Sequence, residues 1–495
     1  MRPPERVVVA LDQGSGSSRA LAVAADGTVV ARAQFPVRTR YPRAGWVEHD
    51  ALGLARSQER ALDQVLDALS KRTEVAALGI ASQRSTFVLW DSRTGRPLTQ
   101  APSWQDGRAF ELAARLQDRQ AWTHERTGLY LTPYYSAPKI RWFLDNVPST
   151  REIAQAGALR AAPVASYLLW RLSEGAAFLA DPTLAQRTLL FDLRSLAWSH
   201  ELLGLFGVPA GCLPAIAPSI GDLGLVRRKG RVIPVRAMIG DQQAAAAALG
   251  GGEPGAGVLN YGTGAFFLLH TGATQHRVPG LLTSAAWQRT GRPCEFFLEG
   301  TVHAAGASVH WLQERLGLLR SVRELDLACR RSRERVFALP AIGGLGAPRW
   351  DYKTFTAFFG LTSQTRREDL VRGVVEGIAF LLGDIVAGCR AAGLGIDSLR
   401  ASGGLSRSAA LLQFQSDLLQ LPIQALDESE ATALGAAMMA GEAAGLVVRP
   451  RLSAGRTFAP RLPAEEAQRL AQAWRVFVES QQKLSLQLRD LKVLP

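Results

Sequence analysis

The chain has 495 residues, of which 47% are hydrophobic and 20% are charged. These values exclude disordered, collagen-like and coiled-coil chains, and the length predicts two or three domains. Lys and Arg outnumber Asp and Glu by 57 to 44, a net charge of +13 that is carried almost entirely by arginine. The one basic run, residues 227–229 with Arg231, has no interleaved aromatic residues, so we predict a solvated loop and no nucleic-acid partner.

The cysteines and the N-terminus exclude further classes. Cys212, Cys294, Cys329 and Cys389 lie far apart and form no CxxC pair, so we expect neither a disulfide framework nor a structural metal. The apolar run at residues 7–11 is too short for a signal peptide, and no stretch reaches the roughly 18 apolar residues of a membrane span. We therefore expect a soluble protein that stays in the cytoplasm.

The first half alternates strands with helices. Residues 7–37 predict three strands, with glycines 14 and 16 in the first turn and the pair Asp26-Gly27 in the second. Asp50 predicts the cap of a helix that runs to about residue 70, and VAALGIAS and TFVLW predict further strands. The segment VIPVRAMIGDQQAAAAALGG then predicts a strand, a turn at an aspartate and an alanine-rich helix.

The glycine-rich segment 250–257 marks the predicted domain boundary, which divides the chain into residues 1–250 and 251–495. Just after it, the pattern [DN]-x-G-[ST]-G of residues 12–16 recurs at residues 260–264, which indicates a duplicated α/β unit. The second half predicts helices over 302–317, over 368–389 and from residue 463 onward. It also predicts a strand that ends at Gly403-Gly404.

The two glycine-rich hairpins could hold phosphates, because consecutive backbone N–H groups in such turns converge on one point. Each alone is most often only a turn, but two at matching places in two halves suit a triphosphate. Asp12 beside the first hairpin is either a turn cap or a carboxylate for Mg²⁺. Asp241 is either a helix N-cap or a general base that takes a hydroxyl proton during attack on a γ-phosphate.

Four further residues suit a small polyhydroxy ligand. Arg84, Trp104 and Tyr134, with the amide of Gln242, would supply a guanidinium, two aromatic walls and a hydrogen-bonding group. Taken one at a time, a surface arginine and two core aromatics are the plainer interpretation of the first three.

Many ordered motifs resemble the FGGY family of carbohydrate kinases, and within it the kinases of glycerol. They are VALDQGSGSSRALAV, YPRAGWVEHD, ASQRSTFVLWDSRTGRPL, SWQDGR, GDQQAAAAALG, LNYGTGAFFLLHTGATQ, HAAGASVHWL, GGLGAPRWD, ASGGLSR with QFQSDLLQ, and ATALGAAMMAG. The likeness runs from about residue 6 to residue 445.

The resemblance implies two actin-like (ribonuclease-H-like) α/β domains, with ATP in the cleft between them and a polyol or sugar in the N-terminal domain. It implies ATP and Mg²⁺ as cofactors, Asp241 as catalytic base and Asp12 as the metal-associated carboxylate. The implied ATP contacts are Ser15, Gly16, Ser17, Arg19, Thr263, Gly264, Gly306 and Gly404. The implied substrate contacts are Arg84, Trp104, Tyr134, Asp241, Gln242 and Phe266. The second domain would carry the adenosine site and end in a long helix.

Several positions depart from the glycerol kinase pattern. Ser85 stands where glutamate is usual, the first hairpin reads GSGSS, and His310 and Ser408 replace amides near adenine. Asp106 makes SWQDGR more like the motif of the ketose kinases. The leading prediction is ATP-dependent phosphorylation of a primary hydroxyl of glycerol or a close polyol. The alternatives are a kinase for a longer polyol or ketose and an actin-like nucleotide-binding scaffold without kinase activity. The sequence is also compatible with a homo-oligomer.

Overall fold

The computed structural model describes residues 5–452 and 454–492. The strands up to residue 250 are β1 (Arg6–Gln13), β2 (Ser17–Ala24), β3 (Val29–Pro36), β4 (Thr39–Arg40), β5 (Glu48–His49), β6 (Glu74–Ser82), β7 (Phe87–Asp91), β8 (Ala101–Pro102), β9 (Leu159–Pro163), β10 (Leu179–Ala180), β11 (Phe191–Asp192), β12 (Ala197–Trp198), β13 (Ala215–Ile216), β14 (Leu225–Arg228) and β15 (Arg231–Gly240). The helices in this part are α1 (Ala51–Ala68), α2 (Phe110–Arg115), α3 (Gln120–Thr127), α4 (Ser136–Asn146), α5 (Pro148–Gln155), α6 (Val164–Leu172), α7 (Pro182–Gln186), α8 (His200–Phe206) and α9 (Asp241–Ala248).

The later strands are β16 (Ala256–Tyr261), β17 (Ala265–Gly272), β18 (Leu282–Gln288), β19 (Cys294–Val302), β20 (Phe337–Leu339), β21 (Ala357–Phe359), β22 (Ser398–Ser402), β23 (Ile423–Leu426) and β24 (Ala454–Phe458). The later helices are α10 (Gly306–Glu314), α11 (Leu325–Arg331), α12 (Arg367–Ala391), α13 (Ala409–Leu419), α14 (Ala431–Ala443) and α15 (Ala464–Asp490). Among the described helices, none is long and apolar enough to cross a membrane.

Most of the elements predicted from sequence are present. Three strands follow one another at the N-terminus, and the Asp50 side chain accepts the Gly53 N–H at the start of α1. One prediction was too long at its start: α10 begins only at Gly306, because the chain stays extended in β19 as far as Val302.

The chain forms two compact units that are not continuous halves. One comprises the described residues of Met1–Ala248 with Thr283–Phe296 and Glu430–Arg451. The other comprises Leu249–Leu282, Phe297–Ser429 and the described residues of Leu452–Pro495. The return of α14 to the first unit follows from its small residues, since Gly79 of β6 lies against Ala436 so closely that an added Cβ would be 2.4 Å from the Ala436 oxygen.

The first unit is built on a mixed sheet in the order β14-β15-β6-β1-β2-β3. The strands β1, β6 and β15 run parallel, while β2 and β14 pair antiparallel to their neighbours. Valines and leucines of these strands pack with the apolar face of α1, which places Val9, Leu62 and Met238 in one fully buried cluster.

The second unit repeats this pattern. Its sheet includes the run β17-β16-β22-β23-β24, in which β16, β22 and β23 are parallel and both ends of the run are antiparallel. Ile378 of α12 and Trp474 of α15 pack in its core. The predicted duplication is therefore present in the topology as well as in the two hairpin motifs.

The basic run is exposed at Arg227 and Lys229, as predicted for a solvated segment, but it forms part of a β-hairpin and not a free loop. It lies in the hairpin between β14 and β15, where Arg228 pairs with Asp63 at 2.7 Å and Lys229 with Asp67 at 2.9 Å. These carboxylates are one helical turn apart on α1, which explains why the cations lie against that helix.

Candidate active site

The candidate catalytic residues lie where three parallel strands of the first unit end together. In the pairing register, Gln13 of β1 lies opposite Ser82 of β6, and Ser82 lies opposite Gly240 of β15. Asp12 is the penultimate residue of β1, Arg84 comes shortly after β6, and Asp241 directly follows β15. Two carboxylates and a guanidinium that are far apart in sequence thus share one edge of the sheet.

Asp12 is a buried carboxyl group, 7% exposed, with its Oδ2 3.9 Å from Nη1 of Arg19. Burial raises the pKa of Asp12 to about 7, the negative charge of Asp241 adds to this rise, and Arg19 opposes it. A buried carboxylate facing a second carboxylate is unfavourable without a cation, because like charges destabilise each other at short range.

Asp241 opens α9 and keeps about a third of its side chain exposed. Its Oδ1 accepts the Gln242 N–H at 2.9 Å and lies 3.8 Å from Nε of Arg84. Arg84 Nη2 donates in turn to Oε1 of Gln242. Asp241 is the first residue of α9, and its bond to the N–H of the next residue differs from an N-cap bond, which reaches the second or third helical N–H. Its carboxylate is open to a ligand at the start of the helix, and the general-base role stays a prediction.

The backbone that carries Asp241 is anchored from α7. The Gly240 N–H donates to Oγ1 of Thr183 at 2.8 Å, and Thr183 donates to the Asp181 carboxylate, which also accepts Ser219 Oγ at 2.7 Å. Burial raises the pKa of Asp181 to about 6, against the lowering by these hydroxyl donors. This buried network fixes the turn from which the candidate base projects.

The proposed substrate contacts differ in exposure from what each residue type alone predicts. Arg84 is 9% exposed, whereas Trp104 and Tyr134 are 42% and 44% exposed. The surface-arginine and core-aromatic interpretations are thus wrong. A buried cation beside Asp241 and large aromatic faces open to solvent are features of a ligand site.

Lys139 of α4 was missed by sequence reasoning. It is fully buried, and its Nζ donates to the Ser103 carbonyl at 2.7 Å and to the Tyr134 carbonyl at 2.8 Å. Burial lowers the pKa of Lys139 to about 7, although Asp106 acts to raise it. One ammonium therefore ties together the two chain segments that carry the aromatic walls. Its sequence signal was a lysine on the same helix face as Ile140 and Phe143.

The first hairpin brings Ser15, Gly16 and Ser17 to the same strand ends. Its turn is closed by the Gly14 N–H, which donates to the Ser17 carbonyl at 3.0 Å. A Cβ added at Gly16 would meet no atom within 4 Å, so packing within the protein does not require glycine there. This leaves the turn open for a close-approaching ligand.

The second hairpin, with Thr263 and Gly264, lies in the second unit against the start of α10. The Gly306 N–H donates to the Gly262 carbonyl at 3.1 Å, and a Cβ at Gly306 would lie 2.5 Å from that oxygen. A Cβ at Gly264 would lie 2.7 Å from the Val302 oxygen. Both glycines are thus required by close backbone approach.

The other positions assigned to the second domain have mixed surroundings. Phe266 is half-buried in β17, and Gly404 has open space beside it. His310 is exposed on α10. Ser408 caps α13 and donates to Oδ1 of Asp326 at 2.6 Å, so its hydroxyl proton is already used within the protein.

Two of the departures from the glycerol kinase pattern now have a structural meaning. Ser85 is nearly buried and has a φ of +64°, while its carbonyl accepts Ser136 Oγ at 3.1 Å. Asp106 is fully buried, and its oxygens accept the Val47 N–H at 2.7 Å and the Arg108 guanidinium at 2.7 and 2.9 Å. Asp106 is a structural residue and gives no support to a ketose substrate.

Family models cover nearly the whole chain. The N-terminal domain model of the FGGY family of carbohydrate kinases matches residues 7–250, and the C-terminal domain model matches residues 257–444. The chain belongs to the FGGY family of carbohydrate kinases. This confirms the predicted membership. The first family model ends at residue 250 and the second begins at residue 257, the two ends of the glycine-rich segment.

Similar FGGY proteins include curated glycerol kinases. That of Thermus brockianus is 42% identical over 490 residues, covering 96% of this chain and 98% of the relative. That of Halorhodospira halophila is 39% identical over 484 residues, covering 95% of each. A crystal structure of Plasmodium falciparum glycerol kinase with ADP has a TM-score of 0.90 at 27% identity, covering 96% of this chain and 98% of that one. The predicted two-domain α/β fold is confirmed by this match.

Proposed function

We propose that the protein transfers the γ-phosphoryl group of ATP to a primary hydroxyl of glycerol. The observation that carries the proposal is the meeting of Asp241, Arg84 and Gln242 at one sheet edge, beside the buried Asp12 and the first glycine hairpin. Similarity to glycerol kinases over nearly the full length supports glycerol as the substrate. The similar crystal structure of a glycerol kinase with ADP supports an adenine nucleotide as the phosphoryl donor.

In this mechanism Asp241 is the general base. Its open carboxylate takes the proton of the attacking hydroxyl as the oxygen forms a bond to the γ-phosphorus, and the bond from that phosphorus to the bridging oxygen of ADP breaks. Arg84 and Gln242 hold the polyol hydroxyls, and Trp104 and Tyr134 cover its carbon chain and exclude water. Backbone N–H groups of the hairpins hold the phosphates, with Ser15, Ser17 and Arg19 around the first and Thr263 in the second.

The residues present fit Mg²⁺. No group of three or more His, Cys, Asp or Glu side chains suited to a metal occurs among the described residues, but Mg²⁺ in kinases is often bound by one or two carboxylates, with the remaining ligands from phosphates and water. The mutually unfavourable Asp12 and Asp241 carboxylates form such a pair, and Asp12 would hold the ion. When bound, Mg²⁺ would neutralise charge on the phosphates of ATP.

The remaining assignments follow from this proposal. Residues 1–250 would carry the polyol site and the first phosphate hairpin, and residues 251–495 the second hairpin and the adenosine contacts, including Gly306 and Gly404. Phe266 would contribute to the polyol pocket.

The decisive experiment compares the wild type with Asp241→Asn in ATP-coupled turnover of glycerol. Loss of the general base should lower kcat about 10²- to 10⁴-fold, while the isosteric amide keeps the fold. Equal thermal unfolding of the two proteins is the control. Near-normal turnover by Asp241→Asn would refute Asp241 as the base. ATP hydrolysis that no polyol stimulates would refute the substrate class and favour the nucleotide-binding scaffold.

Ser85 keeps a second candidate open, a kinase for a longer polyol or ketose. A serine leaves more room than glutamate and removes an acceptor for two hydroxyl groups. Turnover should be measured for glycerol, tetritols, pentitols and ketopentoses in the wild type and in Ser85→Glu. If glycerol is the substrate, Ser85→Glu should lower its KM. A wild-type preference for five carbons, lost in Ser85→Glu, would establish the second candidate.

A further inference from the structure

Trp104 is held at two points by a closed ring of hydrogen bonds. Its indole Nε1 donates to Ser15 Oγ at 3.1 Å, and its backbone N–H donates to Thr86 Oγ1 at 3.0 Å. Both hydroxyl groups then donate to one atom, Oε1 of Gln83, at 2.8 Å from Ser15 and 3.0 Å from Thr86. All four residues belong to the first unit.

The donors in this ring have only one consistent arrangement. An indole N–H and a backbone N–H can only donate, so both hydroxyl oxygens accept from Trp104. The Gly14 carbonyl can only accept, so it faces the Nε2 of Gln83, at 3.4 Å, and the hydroxyl protons go to Oε1. Gln83 is 1% exposed, and its orientation is fixed by its bonds to Ser15, Thr86 and Gly14.

Gln83 also joins the ring to the first hairpin through its backbone. Its N–H donates to the Gln13 carbonyl at 2.9 Å, just before the turn that contains Ser15. The Gln83 side chain therefore contacts the hairpin proposed to bind phosphate through Ser15. The Ser15 hydroxyl links it to the indole proposed to cover the polyol, and the Thr86 hydroxyl links it to the backbone of Trp104.

We propose that Gln83 is a positioning residue that makes the first phosphate hairpin and the Trp104 wall one hydrogen-bonded unit, so that polyol affinity depends on the Ser15 hydroxyl. Ser15 then acts on the polyol through Trp104, in addition to any contact with ATP. The inference rests on the proposed function, since it concerns how the polyol is held.

A double-mutant cycle with Ser15→Ala and Trp104→Phe tests the coupling. Each variant breaks the same indole hydrogen bond, and Phe keeps an aromatic face. We expect each single variant to raise the polyol KM about 3- to 10-fold. The KM of the double variant should not exceed that of the single variant with the higher KM, because the shared bond is lost only once. Multiplicative effects on the polyol KM in an active enzyme would overturn the proposal.

Thr86 provides a second test, which does not depend on how Ser15 contacts ATP. Thr86→Val removes the hydroxyl at nearly constant shape and should raise the polyol KM several-fold with an unchanged KM for ATP. Thr86→Ser keeps the hydroxyl and should restore the wild-type value. An unchanged polyol KM in Thr86→Val would count against the ring. If the wild type phosphorylates no polyol, the proposed function itself fails, which differs from both of these results.

Discussion

At the scale of single residues, the site depends on charged groups that the fold has removed from water. Asp12, Arg84 and Lys139 are each less than a tenth exposed. A buried charge is tolerated only with partners or a shifted pKa. Asp12 has both a raised pKa and the Arg19 guanidinium nearby, Arg84 has Asp241 and the Gln242 amide, and Lys139 has two backbone carbonyls of the segments that carry the aromatic residues.

The raised pKa of Asp12 makes the stability of the protein depend on pH. The folded pKa is about 7, whereas an unfolded aspartate titrates near ~3.9. Between these values the folded state binds a proton that the unfolded chain does not. The contribution of Asp12 is therefore fully present below about pH 4 and is lost as the pH rises through about 7.

We accordingly expect Asp12→Asn to be more stable than the wild type at pH 8 in metal-free buffer, by about 5 °C in Tm. The gain should shrink progressively toward pH 5. Thermal unfolding of both proteins across this range measures it. Addition of Mg²⁺ with an ATP analogue should raise the Tm of the wild type more than that of the variant. A Tm difference that stays constant with pH would contradict the assigned pKa.

Lys139 gives a second prediction at this scale. Lys139→Met keeps the length of the side chain but removes both hydrogen bonds to the Ser103 and Tyr134 carbonyls. The aromatic walls should then lose their positions, and the polyol KM should rise about tenfold while the KM for ATP changes little. The exposed Lys483 of α15 provides the matched control, and Lys483→Met should leave both constants unchanged. Equal increases in both KM values would indicate general disruption instead.

At the scale of elements, α14 and α9 pack through glycine. A Cβ added at Gly435 would lie 1.8 Å from the Ala244 carbonyl oxygen and 2.5 Å from its carbon, so one helix would have to move. Because α9 begins at Asp241, displacing this helix would also displace the candidate base.

We therefore expect Gly435→Ala to destabilise the protein by about 1–3 kcal/mol and to lower kcat at a temperature where it remains folded. Gly204→Ala is the matched control, since Gly204 is exposed within α8 and an added Cβ would meet no atom within 4 Å. This change should be neutral or stabilising by up to about 1 kcal/mol. Urea unfolding measures both. Equal stability of Gly435→Ala and the wild type would show that the helices separate without cost.

The same helix shows what sequence could and could not predict. The N-terminal hairpins were predictable because Asp26-Gly27 and the glycine turn at residues 14–16 separate clear apolar runs. The helix α14 has alanine, glycine and methionine on all faces, so its sequence has no period that indicates its partner. Its contact with α9 depends on close backbone approach, which a pattern of hydrophobic residues does not encode.

Site residues divide in the same way. Asp12 and Asp241 were predicted as site residues because one lies near the end of β1 and the other directly follows β15, each next to a turn. These two strands are parallel neighbours of β6. Lys139 and Gln83 act through backbone carbonyls and hydroxyl groups of other segments, so their partners become visible only in the folded chain.

At the scale of the whole molecule, duplication of the sheet explains where the chemistry lies. The strands β1, β6 and β15 of the first unit correspond in order and direction to β16, β22 and β23 of the second. Asp12 near the end of β1 thus matches Asn260 of β16, and the residues Gln83 and Arg84 after β6 match Gly403 and Gly404 after β22. The first unit keeps charged groups at its strand ends, and the second has an amide and glycines there.

This asymmetry predicts that a carboxylate is tolerated near only one of the two hairpins proposed to bind phosphate. Asn260→Asp would give the second unit the charge that Asp12 gives the first, beside Thr263 and Gly264. The residue paired with Asn260 across the hairpin is Phe266, whereas Asp12 is paired with Arg19. Repulsion of the ATP phosphates should raise the KM for ATP about tenfold, equivalent to ~1.4 kcal/mol, and leave the polyol KM unchanged. Asn260→Ala separates loss of the amide from gain of charge and should have the smaller effect.

Because charge repulsion is screened, the increase in the KM for ATP caused by Asn260→Asp should diminish as ionic strength rises from low salt to about 0.5 M, whereas a packing defect would persist at all salt concentrations. An ATP KM in Asn260→Asp equal to that of Asn260→Ala at low salt would show that the second hairpin does not face phosphate.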